Sequence, residues 1–137
     1  ATYHFLRAPS EGTTVAQQVE VACEGVVDKQ LPMWIDVESP AGLSLDDVHV
    51  AASCFQQAGI EVAGVYTNAG YWRRHMGLDS PAQFGALWLA QWSSNAVTQP
   101  ERLGKWPRPL GFPKPEVWQF TSRGRVGGIE VDLNVAL

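Results

Sequence analysis

The chain has 137 residues and a mass of 15.0 kDa, a length that suits one domain and not two. With 45% hydrophobic and 18% charged residues it can bury a core, which excludes a disordered tail. A net charge of −4 and a pI near 5.2 disfavour a generic nucleic-acid binder, and no window approaches the roughly 18 apolar residues of a membrane span.

The charge is uneven. Residues 1–72 hold nine acids and two bases, and residues 73–137 hold eight bases and five acids, so the halves carry −7 and +3. The basic half reads either as a face for an anionic polymer or as ordinary solvated surface. Residues 1–7 lack the basic-then-apolar pattern of a signal peptide. The chain begins at Ala, as a processed product or an internal piece does.

Thr2 to Leu6 reads as a short strand. Val15, Val19, Ala22 and Val26 repeat at helical spacing, predicting a helix over Thr13 to Lys29 capped by Thr13 or Thr14. Leu31 to Glu38 reads as a strand. Ser44 to Ala58 reads as a helix with Leu45, Val48, Ala52 and Phe55 on one face. Ser44 and Asp47 form a capping box, and Gly59 closes the helix in the left-handed region. Val62 to Thr67 is the next strand. Alternation of this kind implies parallel strands with crossover helices.

The pattern then loosens. A short helix is expected at Pro81 to Gly85 and a strand at Ala86 to Trp92. Residues 93–115, rich in Pro, read as a long ordered loop anchored by Trp106 and Phe112. Val117 to Ser122 and Gly128 to Asn134 read as closing strands, joined by a turn at Arg123 to Gly127. There is no internal repeat and no low-complexity tract. Cys23 and Cys54 have no CxxC spacing and read as small residues on the core side of their helices.

The strand at residues 31–38 is the most informative stretch. Met33, Ile35 and Val37 share one face, and Trp34, Asp36 and Glu38 share the other. Two carboxylates two residues apart, with Cα atoms about 6.6 to 6.8 Å apart, lie at the carboxyl end of a strand, where ligand sites of parallel α/β folds gather. Like charges side by side raise the pKa of one of them. One protonated and one ionised carboxyl is the equipment for cleaving a glycosidic bond. The bland alternative is a solvated strand end, or pairing with Arg73 or Arg74.

Trp34, Tyr66, Tyr71, Trp72, Trp88, Trp92 and Trp118 fall on or just after strand ends. They read either as a barrel core or as a cleft for sugar rings, whose apolar faces pack on flat aromatic side chains. Asp132 shares a strand face with Glu130 and Asn134 and adds a further carboxylate. His4, His49 and His75 are scattered, so a zinc site is not expected. There is no GxSxG and no phosphate loop, and RGRVGG lacks the helix that a phosphate cradle needs.

Tyr3-His4-Phe5, Asp36-Val37-Glu38, Val65-Tyr66-Thr67-Asn68 with Trp72, Leu87-Trp88-Leu89-Ala90, Trp118-Gln119-Phe120-Thr121-Ser122 and Gly128-Ile129-Glu130-Val131-Asp132-Leu133-Asn134 follow one another in order. Together they resemble the glycoside hydrolase family 25 muramidases, the Chalaropsis-type lysozymes found as phage endolysins and bacterial autolysins. The resemblance implies an α/β fold, a modified (β/α) TIM-like barrel. It implies cleavage of the β-1,4 bond between N-acetylmuramic acid and N-acetylglucosamine in peptidoglycan, without metal or organic cofactor. It assigns Glu38 as general acid, Asp36 as partner carboxylate and Asp132 as the late active-site Asp. Tyr3, Tyr66, Trp72, Trp88, Trp92 and Gln119 become the candidate glycan-binding residues.

The family's domain opens with a strand carrying an early Asp, and nothing before Tyr3 matches it. The expectation is one N-terminally short catalytic domain over residues 1–137, an incomplete barrel of about six strands. Its open edges at Thr2–Leu6 and Gly128–Asn134 would be free to pair with another chain. By family analogy it acts on the bacterial cell wall, as a phage lysin released from the host cytoplasm or as a secreted protein. Two rivals stand beside this reading: a non-catalytic peptidoglycan-binding module or inactive lysin fragment, and a structural domain of a phage particle.

Overall fold

The computed structural model describes residues 1–92 and 105–137. Among them run β1 (Thr2–Phe5), α1 (Val15–Gly25), β2 (Met33–Asp36), α2 (Leu45–Gln57), β3 (Val62–Thr67), α3 (Ala69–Met76), β4 (Ala86–Ala90), β5 (Val117–Val126) and β6 (Ile129–Ala136), with 3-10 turns at Pro9–Glu11 and Pro81–Phe84. The strands form one sheet in the order of the chain. β1 to β5 pair in parallel and β6 returns antiparallel. The sheet curls into half a barrel, the expected α/β architecture of an incomplete TIM-like barrel.

The caps arise from the sequence as expected. Thr14 Oγ1 accepts from the Gln17 amide at 3.2 Å, and the Gln17 side chain accepts from the Thr14 amide at 2.9 Å. Ser44 and Asp47 exchange the same pair of bonds at the start of α2. Asp46 and Asp47 in the first turn suit the positive end of its dipole.

Several boundaries differ from expectation. α1 stops at Gly25, before Lys29, because Asp28 Oδ1 captures the Gln30 amide at 2.9 Å and turns the chain. β2 starts at Met33, since Pro32 has no amide to give the ladder. β4 ends at Ala90, although the Gln91 amide still reaches the Gln119 carbonyl at 3.1 Å. α3 replaces the irregular stretch expected after Tyr66. It is short and polar, with Trp72 and Met76 alone buried, too few apolar positions to show a period. The final turn is Gly127–Gly128, with φ of +57° and +84°, and not Arg123–Gly127. Paired glycines at positive φ make the tight turn that matches strand twist, so Arg123 and Arg125 lie on β5.

Residues 93–104 of the expected loop lie outside the described residues. In the remainder, Trp106 packs against Trp118 with ring centroids 5.9 Å apart, and Phe112 packs on the core and under the Arg73 guanidinium.

The two sheet faces divide the strands' residues. Ile35, Val37, Val65, Leu87 and Leu89 are buried in one cluster with Val19, Val48 and Phe55 of α1 and α2. Cys23 and Cys54 pack on that cluster as expected. At Gly64 an added Cβ would stand 1.9 Å from the Ala86 carbonyl oxygen, so only glycine lets β3 and β4 approach there. The opposite face carries Tyr3, Trp34, Asp36, Tyr66 and Trp88 in adjoining register positions.

Candidate active site

The concave face of the sheet builds an aromatic floor. Tyr66 and Trp88 meet edge to face with centroids 5.4 Å apart, Trp34 and Trp88 at 5.6 Å, and Tyr3 meets both Tyr66 and Trp88 at 6.3 Å. Over this floor opens a cavity of about 330 Å³ lined by Tyr3, Glu38, Tyr66, Trp88, Gln119, Asp132 and Asn134. β1, β3, β4, β5 and β6 each contribute, and Glu38 follows the carboxyl end of β2.

Glu38 is half-buried and stands between two pinned residues. The Val37 amide donates to the Tyr66 carbonyl at 2.9 Å, and Thr67 Oγ1 donates to the Val37 carbonyl at 2.8 Å. Ser39, fully buried, donates to Glu11 at 2.6 Å. Burial pushes the Glu38 carboxyl above its ordinary range, and the charge of Asp132 pushes it further. Glu38 therefore keeps its proton to higher pH than a free glutamate.

Asp36 lies beneath the cavity with no exposed surface. Burial raises its pKa to about 7, against the Tyr3 hydroxyl, which donates to Oδ2 and favours the charged form. Its Oδ1 has no hydrogen-bond partner among the described residues. The Tyr3 and Tyr66 hydroxyls are both held above their usual range, chiefly by burial and then by surrounding carboxylates. Among the described residues neither Arg73 nor Arg74 forms an ion pair with these carboxylates: Arg73 donates to the Leu110 carbonyl and lies 5.3 Å from the Phe112 ring.

On the far side, Gln119 Nε2 donates to Asp132 Oδ2 at 3.2 Å, and Trp88 Nε1 donates to Asn134 Oδ1 at 2.8 Å. Tyr66 Oη and Trp92 Nε1 both donate to Gln119 Oε1 at 3.1 Å. The cavity thus gathers Tyr3, Glu38, Tyr66, Trp88, Gln119 and Asp132, with Asp36 below and Trp92 at the rim. Trp72 is elsewhere. It is 0% exposed in the core under Phe84, with its indole donating to the Asp79 carbonyl at 2.7 Å, so it has no surface to offer a glycan. Trp118 is likewise buried, donating to the Gln91 carbonyl. Asn134 joins the lining although the sequence suggested no role for it. The signal was present, since it shares a strand face with Asp132.

A half-buried carboxyl whose pKa is raised, opposite a second carboxylate, in a pocket walled by aromatic rings, has the parts for acid-assisted cleavage of a glycoside. Comparison with known proteins bears on this arrangement. Lysozyme M1 of Streptomyces globisporus is 27% identical over 96% of this chain, and the chain spans just under half of that relative, 47%. The muramidase from Acremonium alcalophilum superposes with a TM-score of 0.64 at 23% identity, over 98% of this chain and 66% of that one. The CTP1L endolysin superposes with a TM-score of 0.62 at 17% identity, over 98% of this chain and 45% of that one. Both structures share the fold. The family model for glycosyl hydrolases family 25 matches residues 1–129, nearly the whole length, and the chain belongs to that family.

Proposed function

We propose that this chain carries the cleavage site of a peptidoglycan-degrading glycoside hydrolase, an N-acetylmuramidase acting on the β-1,4 bond between N-acetylmuramic acid and N-acetylglucosamine. One observation carries the reading: Glu38, its pKa raised, opposes Asp132 across an aromatic pocket in a family 25 chain. The muramidase, lysozyme and endolysin relatives support the substrate class. Glu38 protonates the leaving glycosidic oxygen as the C–O bond breaks, the Asp132 carboxylate offsets the positive charge that develops on the sugar, and water then supplies the hydroxyl to that carbon while its proton regenerates the Glu38 carboxyl. Tyr3, Tyr66 and Trp88 offer ring faces to the sugars. Asp36, enclosed, acts through the Tyr3 hydroxyl that it holds. The bacterial cell wall is then the place of action, reached by release of a phage lysin or by secretion.

Release of reducing sugar from purified peptidoglycan tests this. Glu38→Gln should lower the rate by at least about 100-fold with the fold retained. Equal release by both proteins overturns the reading.

The two open sheet edges favour a second reading. β1 leaves Tyr3 and Phe5 exposed, and β6 leaves Ile129 and Val131 exposed. Unpaired edges accept further strands, so the site would be completed by pairing with another chain, and this chain alone would bind glycan without cleaving it. Glycan binding with no new reducing ends, by both wild type and Glu38→Gln, is its signature.

A further inference from the structure

We propose that Gln119 is the positioning residue of this pocket: its amide, locked by Tyr66 and Trp92, sets where the Asp132 carboxylate stands opposite Glu38. The consequence for cleavage rests on the muramidase reading above, whereas the positioning itself does not.

The orientation of the amide follows from its neighbours. The Trp92 indole N–H can only donate. The end of Gln119 that it meets, at 3.1 Å, must therefore be the oxygen. The Tyr66 hydroxyl donates to the same oxygen at 3.1 Å. That leaves the NH2 group facing Asp132 Oδ2 at 3.2 Å, where it donates. The reverse orientation would set two donors against each other at one end and two acceptors at the other. Gln119 is 5% exposed, so this mispairing would occur away from water and be costly.

Asp132 needs such a hold. It is exposed and lies on β6, the last strand of the sheet, where Ile129 to Asp132 are all exposed and no core packing fixes them. Gln119 stands directly across from Asn134 in the β5–β6 register, and Trp88 ties Asn134 at 2.8 Å. The edge strand is thus tied twice to the pocket wall, and one of the two ties ends on the carboxylate itself. Glu38 is faced by Tyr3 from β1, Asp36 from its own segment, Tyr66 from β3 and Asp132 from β6. Moving Asp132 changes the charge that Glu38 feels.

Two variants test the proposal. Gln119→Met removes the donor and the acceptor. Gln119→Glu keeps an acceptor for Tyr66 and Trp92 but turns a carboxylate towards Asp132. Carboxyl-carbon NMR titration of Glu38 in the folded protein is read beside kcat and KM on soluble peptidoglycan fragments. In Gln119→Met, Glu38 should titrate at lower pH, as it should in Asp132→Asn. In Gln119→Glu it should titrate at higher pH, with kcat lowered at least about tenfold and KM within about twofold. Titration of Glu38 as in wild type in Gln119→Met, the variant that adds no charge to the pocket, overturns the proposal, because a residue that merely braces Tyr66 and Trp92 would leave Glu38 unmoved. Should Gln119→Met fail to fold, Gln119→Leu, which likewise removes both groups and adds no charge, carries the test in its place. A wild type that does not cleave, with Glu38 shifting as stated, overturns the muramidase reading and leaves the positioning intact.

Discussion

The two carboxylates that oppose each other in the pocket stand on walls built in different ways. Glu38 follows β2, which is flanked on both sides by parallel strands and backed by Val48 and Phe55 of α2. Its neighbours Val37 and Ser39 are wholly buried and hydrogen-bonded. Asp132 stands on an edge strand whose first half is exposed, and side-chain hydrogen bonds from Gln119 and Trp88 hold that strand to the pocket. One wall is placed by hydrophobic packing and the other by directional polar contacts. Damage to the first should register as stability, and damage to the second as activity.

The sharpest break of that contrast is Asp132→Asn. It should lower cleavage at least about tenfold while leaving the melting temperature nearly unchanged. It also removes the charge that raises the Glu38 pKa. A general acid works while protonated, so the basic limb of the pH–rate profile should move to lower pH. An unmoved limb would detach Asp132 from Glu38.

Phe55→Ala attacks the other wall. Phe55 is fully buried in the core and meets His4 edge to face at 5.6 Å, so its truncation should cost about 3–5 kcal/mol in denaturant unfolding. A cost below about 1 kcal/mol would show that packing behind β2 is not what holds it.

Asp36→Asn isolates the buried carboxyl between the walls. The folded pKa of about 7 lies above the ordinary value of 3.8. The folded state therefore binds the extra proton between those values. The stability this group contributes is complete below about pH 4 and is lost as pH rises through about 7. Replacement by Asn should raise the melting temperature more at pH 8 than at pH 4, as followed by circular dichroism. Equal changes at both pH values would place the Asp36 carboxyl in a wetter setting than its zero exposure implies.

The smallest effect is expected of Trp88→Phe, which keeps a ring in the floor and removes the N–H that ties Asn134. The loss should be about 1 kcal/mol of stability, with a measurable fall in cleavage as the edge strand loosens. Unchanged cleavage would mean that the β5–β6 ladder and Gln119 hold β6 in place without that bond.

Much of this was legible in one dimension. The apolar periods of α1 and α2, the Ser44–Asp47 cap and the alternation along β2 are local, and each depends on neighbours within a few residues. So does the shared direction of Asp36 and Glu38. The motif order carried the family resemblance, and the family model matches nearly the same span. Less was legible where a residue's role depends on distant partners. Trp72 and Trp88 look alike in the sequence, yet α3 turns Trp72 into the core while β4 turns Trp88 onto the concave face. Gly127–Gly128 carries the turn signal locally, whereas Arg123 and Arg125 take strand positions that only the pairing of β5 with β6 fixes.

The sequence by itself determined the strand–helix alternation, the two carboxylates at and just past the end of β2 and the late Asp-x-Asn pair, because these follow from side-chain period and backbone preference. The tertiary structure alone decided that Asp36 is sealed beneath the pocket while Glu38 opens into it. It alone brought Asp132, 94 positions further along the chain, into the same pocket as Glu38. Burial and hydrogen-bond geometry depend on which strands become neighbours. That choice is made by the curling of the whole sheet over its core, not by any one stretch of the chain.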